Sequence, residues 1–283
     1  MNISSHEALE IQVFTVVFRK FLVHSVFVDK ALSKSGLPDL TYALNPYIGC
    51  SHGCVYCYAR LYTRDKRVSE NWGRIVLVKE NLPKVLEWET RALRKGVVGV
   101  GTITDAYQPV EAVYRVTRRC LEILLKAGFE ISIQTKNPLV LRDMDLLAEH
   151  RDKIDIGFTI TSLDREVARF IEPNSPSPMS RANALREIRE TGIKTWLFYG
   201  PIIPGLNDDY ETMKAITEIA ADTGSTLYYD PLHVKAFMRD QKHPLNPYLY
   251  RMTSNWRKQL EKKLINLCMK HGLTCKPGFR GDA

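Results

Sequence analysis

An α/β fold built on a parallel sheet is predicted by three features of this sequence. Short β-branched runs alternate with amphipathic segments, glycine follows four of those segments, and 283 residues are enough to bury a large core. In chain order the strands fall at 42–48, 97–103, 129–134, 154–161, 194–199 and 226–230, each rich in Val, Ile, Thr or aromatic residues. Helical patterns lie between them at 82–95, 110–127, 140–149, 178–191 and 208–223. Gly96, Gly128, Gly192 and Gly224 stand just past four of these, where a left-handed cap favours glycine. Strict alternation of this kind calls for right-handed crossovers between parallel strands. There is no internal repeat and no low-complexity segment.

The composition is that of an ordinary soluble protein, with 45% hydrophobic and 25% charged residues. The most apolar stretch, 13–28, is interrupted by Arg19, Lys20 and His24. It falls short of the roughly 18–20 apolar residues a membrane span needs. It also lacks a small-residue cleavage site, so it does not read as a secretory signal. No membrane association is expected.

Chemistry concentrates at Cys50-Ser51-His52-Gly53-Cys54-Val55-Tyr56-Cys57. Three thiolates are one fewer than a closed metal site needs. An iron–sulfur cube held by three cysteines leaves one iron open to a small molecule, whereas a pure electron carrier takes four. One tight loop with this spacing can wrap three corners of a cube, and Gly49 and Gly53 are expected to let the backbone approach it. Structural zinc is the alternative, but it requires a fourth protein ligand, and His52 lies inside the loop, poorly placed to supply one. A motif of this chemistry points to a reducing, cytoplasmic setting in which no disulfide framework is expected.

The Cys-x3-Cys-x2-Cys pattern with an aromatic before its last cysteine resembles the signature of the radical S-adenosylmethionine (SAM) superfamily. Asn45-Pro46-Tyr47-Ile48-Gly49 before it, Tyr58-Ala59-Arg60 after it, Thr104-Asp105-Ala106-Tyr107-Gln108-Pro109 and Phe170-Ile171-Glu172-Pro173 are similar to the spore photoproduct lyase-related branch. The resemblance spans roughly residues 37–231. It implies a partial (β/α)6 barrel of TIM type, open at one side for substrate. This gives an N-terminal arm at 1–37, the barrel at 38–231 and a basic, mainly helical extension at 232–283. The implied cofactors are a [4Fe-4S] cluster on Cys50, Cys54 and Cys57, and SAM, whose amino and carboxylate groups the open iron chelates. One electron, from a donor such as ferredoxin or flavodoxin, would split SAM and yield a radical that takes a hydrogen atom from the substrate.

Parallel barrels gather their chemistry at the C-terminal strand ends. There the resemblance assigns Thr104 and Asp105 to the SAM ammonium, in place of the superfamily's Gly-Gly-Glu, and Lys136 to the SAM carboxylate. Thr159 and Thr161, expected on one strand face, would reach ribose hydroxyls. Tyr56 and residues 199–205 would lie near adenine, and Tyr58 close to the SAM pocket. Each has a plainer alternative: a turn for Asp105, solvent for Lys136, strand filling for the threonines and core packing for the tyrosines.

Spore photoproduct lyase returns a hydrogen atom from a cysteine at the end of its second strand. Residues 100–105 contain no cysteine here, so repair of that lesion is not expected. Cys120, beside Leu121, Leu124 and Leu125, reads as buried packing, and Cys268 with Cys275 are too few for a second cluster. The net charge is +8, with basic residues grouped at 60–67, at 115–119 and along 251–280, including Arg280 against Asp282. Phosphate contacts supply most sequence-independent nucleic-acid affinity, and Tyr248, Tyr250 and Trp256 could stack on bases. DNA or RNA is therefore the favoured substrate. A solvated amphipathic helix carrying Leu260, Leu264 and Leu267 is the competing reading of the tail, and a peptide or metabolite the competing substrate. His233 and Lys235, after the sixth strand, are candidate acid–base groups at the substrate mouth.

Overall fold

The computed structural model describes residues 15–18, 21–37 and 39–278. The remainder of the N-terminal arm, Pro38, Arg280 and Asp282 lie outside the described residues. In chain order the strands are β1 (Thr15–Phe18), β2 (Phe21–Val26), β3 (Leu32–Lys34), β4 (Tyr42–Leu44), β5 (Tyr47–Ile48), β6 (Ile75–Lys79), β7 (Val97–Val100), β8 (Glu130–Thr135), β9 (Ile154–Thr159), β10 (Lys194–Ile202), β11 (Thr226–Pro231) and β12 (Cys275–Pro277).

Eight of them form one sheet in the order β12-β11-β10-β9-β8-β7-β4-β3. The six predicted strands are its centre, all parallel and in sequence order, from β4 to β11. Its two ends do not pair with each other, so it is a partial barrel with edges at antiparallel β3 and parallel β12. Side chains alternate as a pleated sheet requires. Val98, Val100, Ile131, Ile133, Ile156 and Phe158 are buried in the core shared with Leu121, Leu124, Leu185 and Ile188 of the covering helices. Each such burial contributes roughly 1.5–3 kcal/mol. Gly99, Ser132, Gln134, Asp155 and Trp196 face the barrel interior.

The predicted strand 42–48 divides at Asn45-Pro46. β4 stays in the barrel, while β5 joins β6, β2 and β1 in a second sheet. Asn45 fixes the crossing by accepting from Ile103 N–H at 2.9 Å and donating to Thr102 at 3.0 Å. The chain therefore reaches the cysteine loop above the C-terminal end of β4.

Two predicted helices also end differently. The first stops at Glu89, and Gly96 is not its cap: a Cβ there would lie 2.8 Å from that of Thr41, so glycine serves close approach. The segment 110–127 breaks at Arg115, in the left-handed region at φ 50°, into Glu111–Tyr114 and Val116–Lys126. The cause is the buried Glu111 carboxylate, which accepts the N–H groups of Thr117 (2.9 Å) and Arg118 (3.2 Å), the Tyr47 hydroxyl, and Arg142 (2.9 Å). Capping of the second helix by a side chain of the first requires the intervening turn.

The last long helix, Ser254–Lys270, is capped by the Thr253 hydroxyl and buries Leu260, Leu264 and Leu267. Cys268, in its last turn, forms a disulfide with Cys275 of β12, a pairing not foreseen in the sequence. Cys120 is fully buried, as packing requires. Among the described residues no helix is long and apolar enough to cross a membrane.

Candidate active site

Cys50, Cys54 and Cys57 have free thiols that line one cavity of about 400 Å³ at the C-terminal end of the barrel strands. Two turns bring them together: Gly53 N–H donates to Cys50 O and Cys57 N–H to Cys54 O, both at 3.2 Å. The two loop glycines have φ of 87° and 62°, and both pack closely on the chain. A Cβ on Gly49 would lie 2.6 Å from Ile75 O, and one on Gly73 would lie 2.7 Å from Gly53 Cα.

Two segments clamp the loop. From one side Gln108 accepts Ser51 N–H at 2.8 Å and donates to Gly49 O at 3.1 Å, while the Thr104 hydroxyl donates to the same carbonyl at 2.6 Å. From the other, Ile171 O accepts Val55 N–H, and Asn174 donates to His52 O and Ser51 O. The extension also reaches over it: Val55 and Tyr56 pack with Leu232, Met238 and Leu245, and His243 contacts Val55 O at 3.2 Å.

Burial pushes all three thiols up, Cys54 to about 12, so binding of iron would displace protons. The residues fit a multi-iron sulfur group. Three thiols share the cavity, yet among the described residues no three His, Cys, Asp or Glu side chains converge on the position of a single ion. The cavity wall also carries Trp72, whose indole N–H is buried away from the accessible surface and has no acceptor among the described residues.

Asp105 is buried on the cavity wall. Its carboxylate accepts from Thr135 Oγ1 (2.7 Å), Tyr107 N–H (2.9 Å) and Lys136 N–H (2.8 Å), and lies 3.3 Å from His52 Nδ1. Burial raises its pKa, but His52 and these donors outweigh that and hold it at about 2. Four partners match the lone-pair directions of a carboxylate. The expected ammonium contact would have to displace one of them, and the Thr104 hydroxyl is likewise engaged, by Gly49 O and Gln108.

Lys136 leaves the end of β8 and finds an anion in the protein, Glu172, 4.0 Å from its Nζ. Burial works against the ammonium, but Cys54 and Glu172 keep it charged above the usual lysine range. Glu172 also accepts the Tyr56 hydroxyl and pairs with Arg181 at 2.5 Å. Tyr56, Tyr58, Lys136 and Thr159 all line the cavity. Tyr58 donates to Thr102 O at 3.0 Å, and the Thr159 hydroxyl accepts from Gln134 at 3.1 Å. Thr161 does not line it, because β9 ends at Thr159 and the alternation of faces ends with the strand; its hydroxyl is buried without a partner. Gly200 and Pro201 of the predicted adenine stretch do line it, as do His233 and Lys235. His233 Nε2 lies 3.1 Å from Asp230, whose carboxyl is raised by burial.

The sequence reading assigned no role to Glu172, Arg181, Gln108 or Trp72. Glu172 lay inside a quoted motif, and a buried acid beside an arginine-bearing helix start was its only signal. Of the tail aromatics, Trp256 packs on the core and donates to Asp208 at 2.7 Å, Tyr248 packs edge-on to Phe170, and Tyr250 is exposed beside Arg251. The basic group at 115–119 is offset in part: Arg118 pairs with Asp143, Asp145 and Glu122.

The family model of the radical SAM superfamily matches residues 44–216. An uncharacterized protein of Methanocaldococcus jannaschii is 34% identical over 262 residues, covering 91% of this chain and 97% of that protein. Another, of Mycobacterium tuberculosis, is 31% identical over 278 residues, with 88% and 81% covered. Among solved structures, a spore photoproduct lyase variant with bound AdoMet and dinucleoside spore photoproduct superposes with a TM-score of 0.66 at 17% identity, over 89% of this chain and 81% of that one. At that identity the likeness is one of fold.

Proposed function

The chain belongs to the radical SAM superfamily, whose cofactors are a [4Fe-4S] cluster and SAM, and from that membership we propose an enzyme that abstracts a hydrogen atom from a nucleic acid. When bound, these cofactors supply one-electron cleavage of SAM and hydrogen-atom abstraction, and enzymes of this family need a reductant. Cys50, Cys54 and Cys57 would hold the cluster. Lys136, kept charged by Glu172, would meet the SAM carboxylate, and Tyr56, Tyr58 and Thr159 would line its nucleoside end. Thr104 and Asp105 fasten the cysteine loop, since their polar atoms already have protein partners. Thr161, outside the cavity lining, would act only through its backbone, whose carbonyl accepts from Asn207.

The observation that carries the substrate reading is the mouth of the cavity. Tyr58 and Tyr62 meet edge to face at 5.8 Å there, with Tyr62 64% exposed, and His233 and Lys235 line the same wall. Aromatic faces beside a lysine suit a base and its phosphate. The dinucleoside held by the spore photoproduct lyase of the same fold supports this reading. A base in a duplex would have to be extruded to reach so recessed a site. The cavity wall has no thiol besides the three of the loop, so the missing hydrogen-donor cysteine is not replaced from elsewhere among the described residues. A peptide or metabolite substrate is the outcome that would replace this proposal.

The test is 5′-deoxyadenosine release by anaerobically reconstituted, reduced protein with SAM, with and without DNA or RNA oligonucleotides. Stimulation by one of them, with deuterium passing from labelled oligonucleotide into deoxyadenosine, is expected. Steady cleavage indifferent to both would overturn the substrate reading. Lys235→Ala should flatten the salt dependence of oligonucleotide binding by about one phosphate contact.

A further inference from the structure

A second cavity, of about 440 Å³, lies at the opposite end of the barrel from the cysteine loop, lined by Val97, Glu130, Ile154, Lys194 and Thr226, the first residues of β7 to β11. Tyr58, Gln134 and Phe198 line both cavities, so the two adjoin through the barrel interior. Large side chains ordinarily fill such an interior. Here Gly99 and Ser132 leave it open, and Gly157 lets the Trp196 indole lie directly against β9, since a Cβ there would come within 2.1 Å of the ring. The polar group within is Asp155. Its Oδ1 accepts from Ser132 Oγ at 2.6 Å and from Trp196 Nε1 at 2.7 Å, which fixes the carboxylate in place. Its Oδ2 accepts no hydrogen bond among the described residues, yet it is not one of the atoms sealed from the accessible surface, so it opens on the cavity that Asp155 lines. Lys194, beside it across the β9–β10 ladder, is exposed and forms no ion pair with it among the described residues.

Aromatic rings stand around this carboxylate. Trp196 and Tyr228 meet edge to face with centroids 5.6 Å apart, and Phe198 lines the same cavity. A concave, largely aromatic wall with one oriented polar group is the usual construction of a small-molecule site. A carboxylate oxygen left free beside aromatic faces attracts an organic cation, through a charge-assisted hydrogen bond and through the rings. Burial raises the Asp155 pKa, a cost that a cation on Oδ2 would offset. A metal ion fits less well, because among the described residues no three His, Cys, Asp or Glu side chains converge on one position. We propose that this cavity is a second ligand site, taking a compact organic ammonium whose N–H groups donate to Asp155 Oδ2 and whose apolar body packs on Trp196 and Tyr228. Such a site is independent of SAM and of the nucleic-acid substrate proposed above.

The test follows the indole N–H signals of the four tryptophans by NMR in full-length, anaerobically reconstituted protein, titrated with phenethylamine and with its neutral analogue phenethyl alcohol. Phenethylamine should shift the Trp196 signal, assigned by its loss in Trp196→Phe. The alcohol, with only a neutral hydrogen bond to offer, should bind about tenfold more weakly. Asp155→Asn keeps an oxygen for Ser132 and Trp196 but replaces the free one by an N–H donor, so it should abolish the response to the amine. No response to the amine in the wild-type protein, equal affinity for the two probes, a shift confined to the other tryptophans, or an undiminished response in Asp155→Asn overturns the proposal. If that variant does not fold, the two probes on the wild-type protein decide alone. Each of these outcomes leaves the family reading intact so long as iron is bound and deoxyadenosine forms.

Discussion

The cysteine loop and the C-terminal helix are both conspicuous in sequence, one for its thiols and the other for its charge, yet they differ in how their polar groups are employed. In the loop, backbone groups are fastened by Gln108, Thr104, Ile171 and Asn174, while the three free thiols line a shared cavity. In the helix Ser254–Lys270 the pattern is reversed. Its apolar side is buried, its Trp256 N–H is bonded, and its lysines are exposed. A rigid scaffold that holds three free thiols on one cavity marks a site for a ligand, whereas an amphipathic helix with its apolar side buried marks packing.

Substitutions should separate the two regions by size of effect. Cys54→Ala is expected to eliminate deoxyadenosine formation, measured by chromatography; normal turnover in that variant would place the chemistry elsewhere. Glu172→Ala comes next, because it leaves Arg181 buried without its counter-charge. A loss of roughly 3–5 kcal/mol in urea unfolding is anticipated, and a change below about 1 kcal/mol would show the ion pair to be dispensable. In the helix, Trp256→Phe should cost only about 1 kcal/mol, the value of its hydrogen bond to Asp208. Smallest of all, Lys262→Ala and Lys263→Ala should each alter stability by less than about 0.5 kcal/mol. They should also weaken oligonucleotide binding less than Lys235→Ala does. A stronger effect from the helix lysines would return the nucleic-acid surface to the tail.

The barrel was legible because its signal is local. β-branched runs mark each strand, glycines close three of the predicted helices, and six strands emerged in the predicted order. What escaped the sequence depended on distant partners. The break at Arg115 follows from where the Glu111 carboxylate ends up, and the split of strand 42–48 from the pairing of β5 with β6. The cysteine triplet was visible through spacing alone. Lys136 was rightly seen to need an anion, but that the protein supplies Glu172, 36 residues away in sequence, could not be read from periodicity. Charge was the least specific signal, since a net excess says nothing about which lysines meet a solute and which merely cover a helix.

The central claim is that three thiols hold an iron–sulfur cube with one position open to SAM. The most direct measurement is the EPR spectrum of the reduced, reconstituted protein before and after SAM is added. A [4Fe-4S] signal whose g-values shift on adding SAM is predicted. A signal unchanged by SAM, or a colourless protein retaining one zinc and no iron, would contradict it.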